Sequence, residues 1–86
     1  MAHPISFAVG PDGRIFVLDG GNARVLVIGE RGEEITQWGH KGSGEGDFNF
    51  GNGTGNRGFA GSIAVDSQGY IYVLDVFNQR IQKFAP

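Results

Sequence analysis

Apolar residues in this chain fall in short bursts separated by turn formers, and the whole pattern occurs twice. Ser6 to Ile28 (SFAVGPDGRIFVLDGGNARVLVI), set without gaps against Ser62 to Phe84 (SIAVDSQGYIYVLDVFNQRIQKF) at an offset of 56, gives ten identities over 23 positions. They are Ser6/Ser62, Ala8/Ala64, Val9/Val65, Gly13/Gly69, Ile15/Ile71, Val17/Val73, Leu18/Leu74, Asp19/Asp75, Asn22/Asn78 and Arg24/Arg80. Strand-type and turn-type positions both recur, so the repeat is a three-dimensional unit, and such units bury their apolar faces against copies of themselves.

Each unit predicts three strands. The first spans Ser6 to Val9, or Ser62 to Asp66, and leads into Gly10-Pro11-Asp12-Gly13 or Asp66-Ser67-Gln68-Gly69, whose closing glycine suits a type I turn. The second, Arg14 to Leu18 or Tyr70 to Leu74, is almost continuously apolar, which predicts cover on both faces. After a turn at Asp19 to Asn22 or Asp75 to Asn78, the third strand runs from Arg24 to Ile28 or Arg80 to Phe84. A turn at Glu30 to Glu33 and a strand at Glu34 to Trp38 complete a four-stranded antiparallel meander in the first unit. No helical periodicity is visible. The segment from Gly39 to Gly61 holds nine glycines in 23 residues and predicts a loop, longer than most connections and therefore functional or mobile. Phe48, Phe50 and Phe59 within it are expected to pin it to a neighbouring surface and are candidates for a rim or interface.

A four-stranded meander, apolar on both faces and joined by a loop to the next, predicts a β-propeller blade. Blade one is then 4–38, the Gly-rich connection 39–61, and an incomplete three-stranded blade two 62–86. The stretches IFVLDGGNARVLVI and IYVLDVFNQRIQKF, with SIAVDSQG before the latter and QWGHKGSGEGDFNF between, resemble NHL repeats: an apolar strand ending in Asp, then Asn and Arg, then an apolar strand. The resemblance covers nearly the whole chain, with an extra stretch near GNGTGNRG and a second unit that stops at Ala85-Pro86 without a fourth strand. It implies propellers that commonly carry six blades. Propellers close with about four to eight blades, so the expected fold is all-β, two blades per chain completing a closed six-bladed ring as a homotrimer, with a dimer or tetramer as the other symmetric solutions.

Size and charge narrow the function classes. Eighty-six residues without cysteine form one small domain with neither disulfide nor thiolate metal site to staple it. A net charge of −2 supplies no broad cationic field for nucleic acid or anionic lipid. Met1 to Val9 lacks the cationic start and apolar run of a leader, and no apolar stretch reaches membrane length, so a soluble protein is expected, its localisation left open with the cytoplasm as the default. Lys83, on a third strand left at a sheet edge by the missing fourth, fits a device against unwanted pairing, or ordinary drift between copies.

Candidate chemistry is sparse. Asp19, Asn22, Arg24 and Asp75, Asn78, Arg80 form a repeated Asp-x-x-Asn-x-Arg element, read as a structural turn motif: Asp accepts N–H groups, Asn tolerates the left-handed conformation, and Arg pairs with the carboxylate. Asp66 replaces Gly10 at the end of an inner strand, where a ring would repeat it around the axis; the alternatives are a calcium-binding carboxylate cluster and a solvated turn residue, the latter preferred. The resemblance also admits zinc-dependent lyases that hold the metal with histidines, for which His3, near the mouth of an inner strand, is the weak candidate; His40 lies in the loop, and neither sits in a metal motif. Relatives that read RNA use a basic aromatic face, whereas the long loop here has only Lys41 and Arg57 as basic residues. Gly42 to Gly46 lacks the Lys-Ser/Thr of a phosphate loop. Val76 and Phe77 replace Gly20 and Gly21 and present a hydrophobic knob, for a partner or ligand contact or, the preferred reading, for packing against the adjacent subunit or the long loop. The expected function is a self-assembling scaffold or binding module without catalytic residues or a resident cofactor.

Overall fold

In the computed structural model, residues 3–53 and 58–86 are described. Seven strands follow in order: β1 Pro4–Val9, β2 Ile15–Asp19, β3 Arg24–Ile28, β4 Glu34–Trp38, β5 Ser62–Val65, β6 Ile71–Asp75 and β7 Arg80–Phe84. They form two antiparallel sheets, β1-β2-β3-β4 and β5-β6-β7, each in sequence order. The meander arises because every connection within a sheet is a short turn, and short turns join only antiparallel neighbours. Gly13 and Gly69 both have φ of 88°, which lets their N–H groups close the turns on Gly10 O and Asp66 O at 3.1 and 3.0 Å. Pro4 opens β1 at the sheet edge, where its missing N–H removes no ladder bond.

Two local expectations shift. The middle strands run one residue later than the apolar run alone predicts, because Asp19 pairs with Arg24 and Asp75 with Arg80 in the ladder. The left-handed residues are Ala23 and Gln79, at φ of 52° and 54°, not the asparagines before them. Asn22 and Asn78 instead point their amides at the Asp carboxylates. A single 3-10 turn, Val76–Asn78, stands where the sequence predicts an irregular turn.

The core lies between the sheets. Phe16 and Leu18 of β2 and Val25 and Val27 of β3 meet Ile63, Ile71 and Val73 of the second sheet. Phe48 and Phe50 of the connection, both fully buried, fill the remaining space with rings 5.3 Å apart. The connection is thus part of the core, and its two phenylalanines each remove on the order of 1.5–3 kcal/mol of apolar surface from water. Among the described residues no helix is long and apolar enough to cross a membrane.

Candidate functional site

The repeated polar element builds two clamps at equivalent corners of the sheets. In the second, Asp75 is fully buried at the end of β6. Its Oδ2 accepts hydrogen bonds from Arg80 Nε and Asn78 Nδ2, both at 2.9 Å, while Oδ1 accepts from the Asn49 N–H at 2.7 Å. Arg80 then reaches out of the sheet and donates to the carbonyls of Ser43, Gly44 and Asp47 at 3.1, 2.7 and 2.7 Å. Asn78 also donates to Gly42 O at 2.8 Å. Gln82 accepts from Gly46 N at 3.0 Å and donates to Asp47 O at 2.8 Å. Carbonyls and amides that a glycine-rich loop would otherwise leave to water are therefore satisfied by one sheet corner.

The first clamp repeats the core of this geometry. Asp19 is fully buried and takes Asn22 Nδ2 and Arg24 Nε at 2.9 Å each, and Arg24 also donates to Gln37 Oε1 of β4. In both clamps a buried carboxylate is paired with a partly exposed guanidinium, an arrangement that positions chain segments.

The other candidates separate into core, hairpin and rim. Phe48 and Phe50 are corrected from rim or interface candidates to packing residues: they pin the loop as expected, but full burial denies them to any partner. Phe59 is half-buried, its ring centroid 4.7 Å from that of His3 and its Cβ close to Gly20. Val76 is half-buried; Phe77 keeps 41% of its surface exposed while its ring lies against Gly51 and its N–H donates to Asn49 O at 3.1 Å. The knob therefore packs on the long loop, the plainer of its two readings.

Asp66 serves its own hairpin. Oδ1 accepts the Gln68 and Tyr70 N–H groups at 2.9 and 3.0 Å, and Oδ2 accepts the Tyr72 hydroxyl at 2.9 Å. Partial desolvation pushes its pKa up, but these three hydrogen bonds and the nearby Lys83 charge together hold it below the ordinary carboxylate value. Lys83 itself folds back onto the sheet, its ammonium 4.4 Å from the Tyr70 ring centroid and 5.6 Å from that of Tyr72. His40 pairs with Asp47 at 3.0 Å. Among the described residues no group of three or more His, Asp and Glu side chains converges as a metal site. Lys41 belongs to the clamped loop, pairing with Phe48 in an isolated bridge, and Arg57 lies outside the described residues.

What remains open is apolar sheet. The face of blade one turned away from blade two exposes Phe7 by 67% and Val9 by 58% beside a groove of about 400 Å³ lined by Ile5, Ser6, Ile15 and Val17. The opposite face of blade two exposes Leu74 by 42% and Ile81 by 68% beside a groove of about 200 Å³ lined by Ser62, Ala64 and Tyr72. Residues 1–28, which hold β1 to β3 and the first clamp, match the family model of the NHL repeat. That segment carries an NHL repeat. The second sheet lies outside the matched residues and is related to them by ten identities in 23 positions. A repeat of this kind suggests a β-propeller-type module. No curated protein matches the chain.

Ser6 and Gln82 are linking positions that motif reasoning passes over. Ser6 Oγ accepts the Ile63 N–H at 3.3 Å and links one blade to the next. Its signal was legible as a polar identity, Ser6/Ser62, inside otherwise apolar strands.

Proposed function

We propose that this NHL chain is a non-catalytic, self-assembling scaffold that closes a six-bladed ring from three copies and presents its rim loops to a protein or peptide partner. The observation that carries this reading is the pair of open apolar sheet faces, with Phe7 at 67% and Ile81 at 68% exposure on opposite sides of the two-blade unit. Two patches of that kind are disfavoured on a soluble monomer, and a closed ring removes both without leaving an edge for filaments. The clamps support the scaffold role, since their buried carboxylates are committed to holding the chain. Rim loops outside the clamped stretch, near Phe77 and Phe59, are the surfaces offered to a partner. Native mass spectrometry at micromolar concentration tests the assembly: a three-chain species is expected, and a folded single chain overturns the reading.

A further inference from the structure

The repeat makes the two open faces equivalent to the two faces already in contact. On blade one the covered face carries Ser6, Ala8, Phe16, Leu18, Val25 and Val27. Adding the offset of 56 gives Ser62, Ala64, Tyr72, Leu74, Ile81 and Lys83, which is the open face of blade two. On blade two the covered face carries Ile63, Val65, Ile71, Val73 and Phe84. Subtracting 56 gives Phe7, Val9, Ile15, Val17 and Ile28, the open face of blade one. Each open face therefore lacks the kind of neighbour that the other one resembles.

Resting on the self-association reading above, we propose that two copies join head to tail, the open face of blade one in one copy seating on the open face of blade two in the next. The bond between Ser6 Oγ and the Ile63 N–H specifies the register. Its counterpart between copies is Ser62 Oγ accepting from the Phe7 N–H of the neighbour, with the Phe7 ring entering the groove beside Ala64, Leu74 and Ile81. The charges at the edge of that face do not oppose docking: the Lys83 ammonium lies over the Tyr70 ring near the Asp66 carboxylate that Tyr72 bonds, which leaves its aliphatic stem along the sheet. A back-to-back pair, by contrast, would set Phe7 and Val9 against their own copies and leave Leu74 and Ile81 in water.

A complementation experiment decides between these geometries. Phe7→Asp disables the blade-one face and Ile81→Asp the blade-two face; both positions are about two-thirds exposed, so the core is untouched. Each variant alone is expected to run as a folded single chain by native mass spectrometry and circular dichroism. An equimolar mixture keeps one intact face of each kind and is expected to form a two-chain complex and nothing larger. Persistence of wild-type assembly in either variant, or a mixture that stays as single chains while the wild type is oligomeric, overturns the head-to-tail contact and the closed ring that needs it, and leaves self-association in another geometry. A folded wild-type monomer overturns the self-association reading itself. Phe7→Ser and Ile81→Ser repeat the test without an introduced charge and must behave the same way.

Discussion

Blade one and blade two descend from one pattern but use it in opposite directions. In blade one the Phe16, Leu18, Val25 and Val27 face is sealed and the Phe7 and Val9 face is open; in blade two the sealed face is that of Ile63, Ile71 and Val73, and the open one carries Leu74 and Ile81. The clamps differ in the same spirit. Asp75 and Arg80 hold the connection by its backbone, whereas Arg24 spends one of its terminal nitrogens on Gln37 within its own sheet. A repeat thus fixes which groups are available, while the neighbour met by each copy decides what they do.

The largest way to break the comparison is to unseat the connection. Phe48→Ala should cost about 3–5 kcal/mol, as large-to-small changes at fully buried phenylalanines do, measured as a loss of denaturant midpoint. For a chain of this length, whose whole stability is on the order of 4–13 kcal/mol, that loss approaches unfolding. Phe77→Ala, at the exposed knob, should cost no more than about 1 kcal/mol. Equal costs at the two positions would contradict the division between core and rim.

The clamps come next. Removing one partner of a buried ion pair leaves an uncompensated group and costs about 3–5 kcal/mol, so Asp75→Ala and Asp19→Ala should both destabilise strongly. They should differ in hydrogen exchange: Asp75→Ala frees the Asn49 amide and loosens Arg80 from the loop carbonyls, while Asp19→Ala leaves the amides of Gly46 and Asn49 protected.

Smaller still is the serine pair. Ser6→Ala, which strands the Ile63 N–H, should cost about 1 kcal/mol of monomer stability. Ser62→Ala should leave the unfolding midpoint of dilute monomer unchanged and weaken assembly instead.

Asp66 gives the smallest effect, and one that depends on pH. Its folded-state pKa lies below the unfolded value, so its contribution is fully present above the ordinary Asp pKa of about 3.9 and is lost as pH falls through the folded value. Asp66→Asn should therefore lower the midpoint at pH 7, and the difference should shrink as pH falls below the ordinary Asp value. Gly10, at the same place in blade one, offers no carboxylate, so that hairpin should show no such dependence.

Much of the fold was legible because its signals are local. Four strands and then three, antiparallel order and the turn glycines all follow from apolar runs punctuated by Gly, Asp and Asn. The element Asp-x-x-Asn-x-Arg announced a turn clamp, yet its reach was hidden: the acceptors of Arg80 are backbone carbonyls more than 30 residues away, and a carbonyl has no sequence signature. Phe48 and Phe50 were recognisable as anchors but not as core, since a glycine-rich context looks the same whether its aromatics lie on a rim or between sheets.

By itself the sequence determined the repeat, the blades, the turns and the committed carboxylates, each set by interactions within a few residues or across a hairpin. Only the tertiary structure decided which face of each blade is covered. A continuous apolar run offers both faces equally, and the choice lies in the packing of β1 and β2 against β5, which leaves Phe7 and Ile81 on the outside.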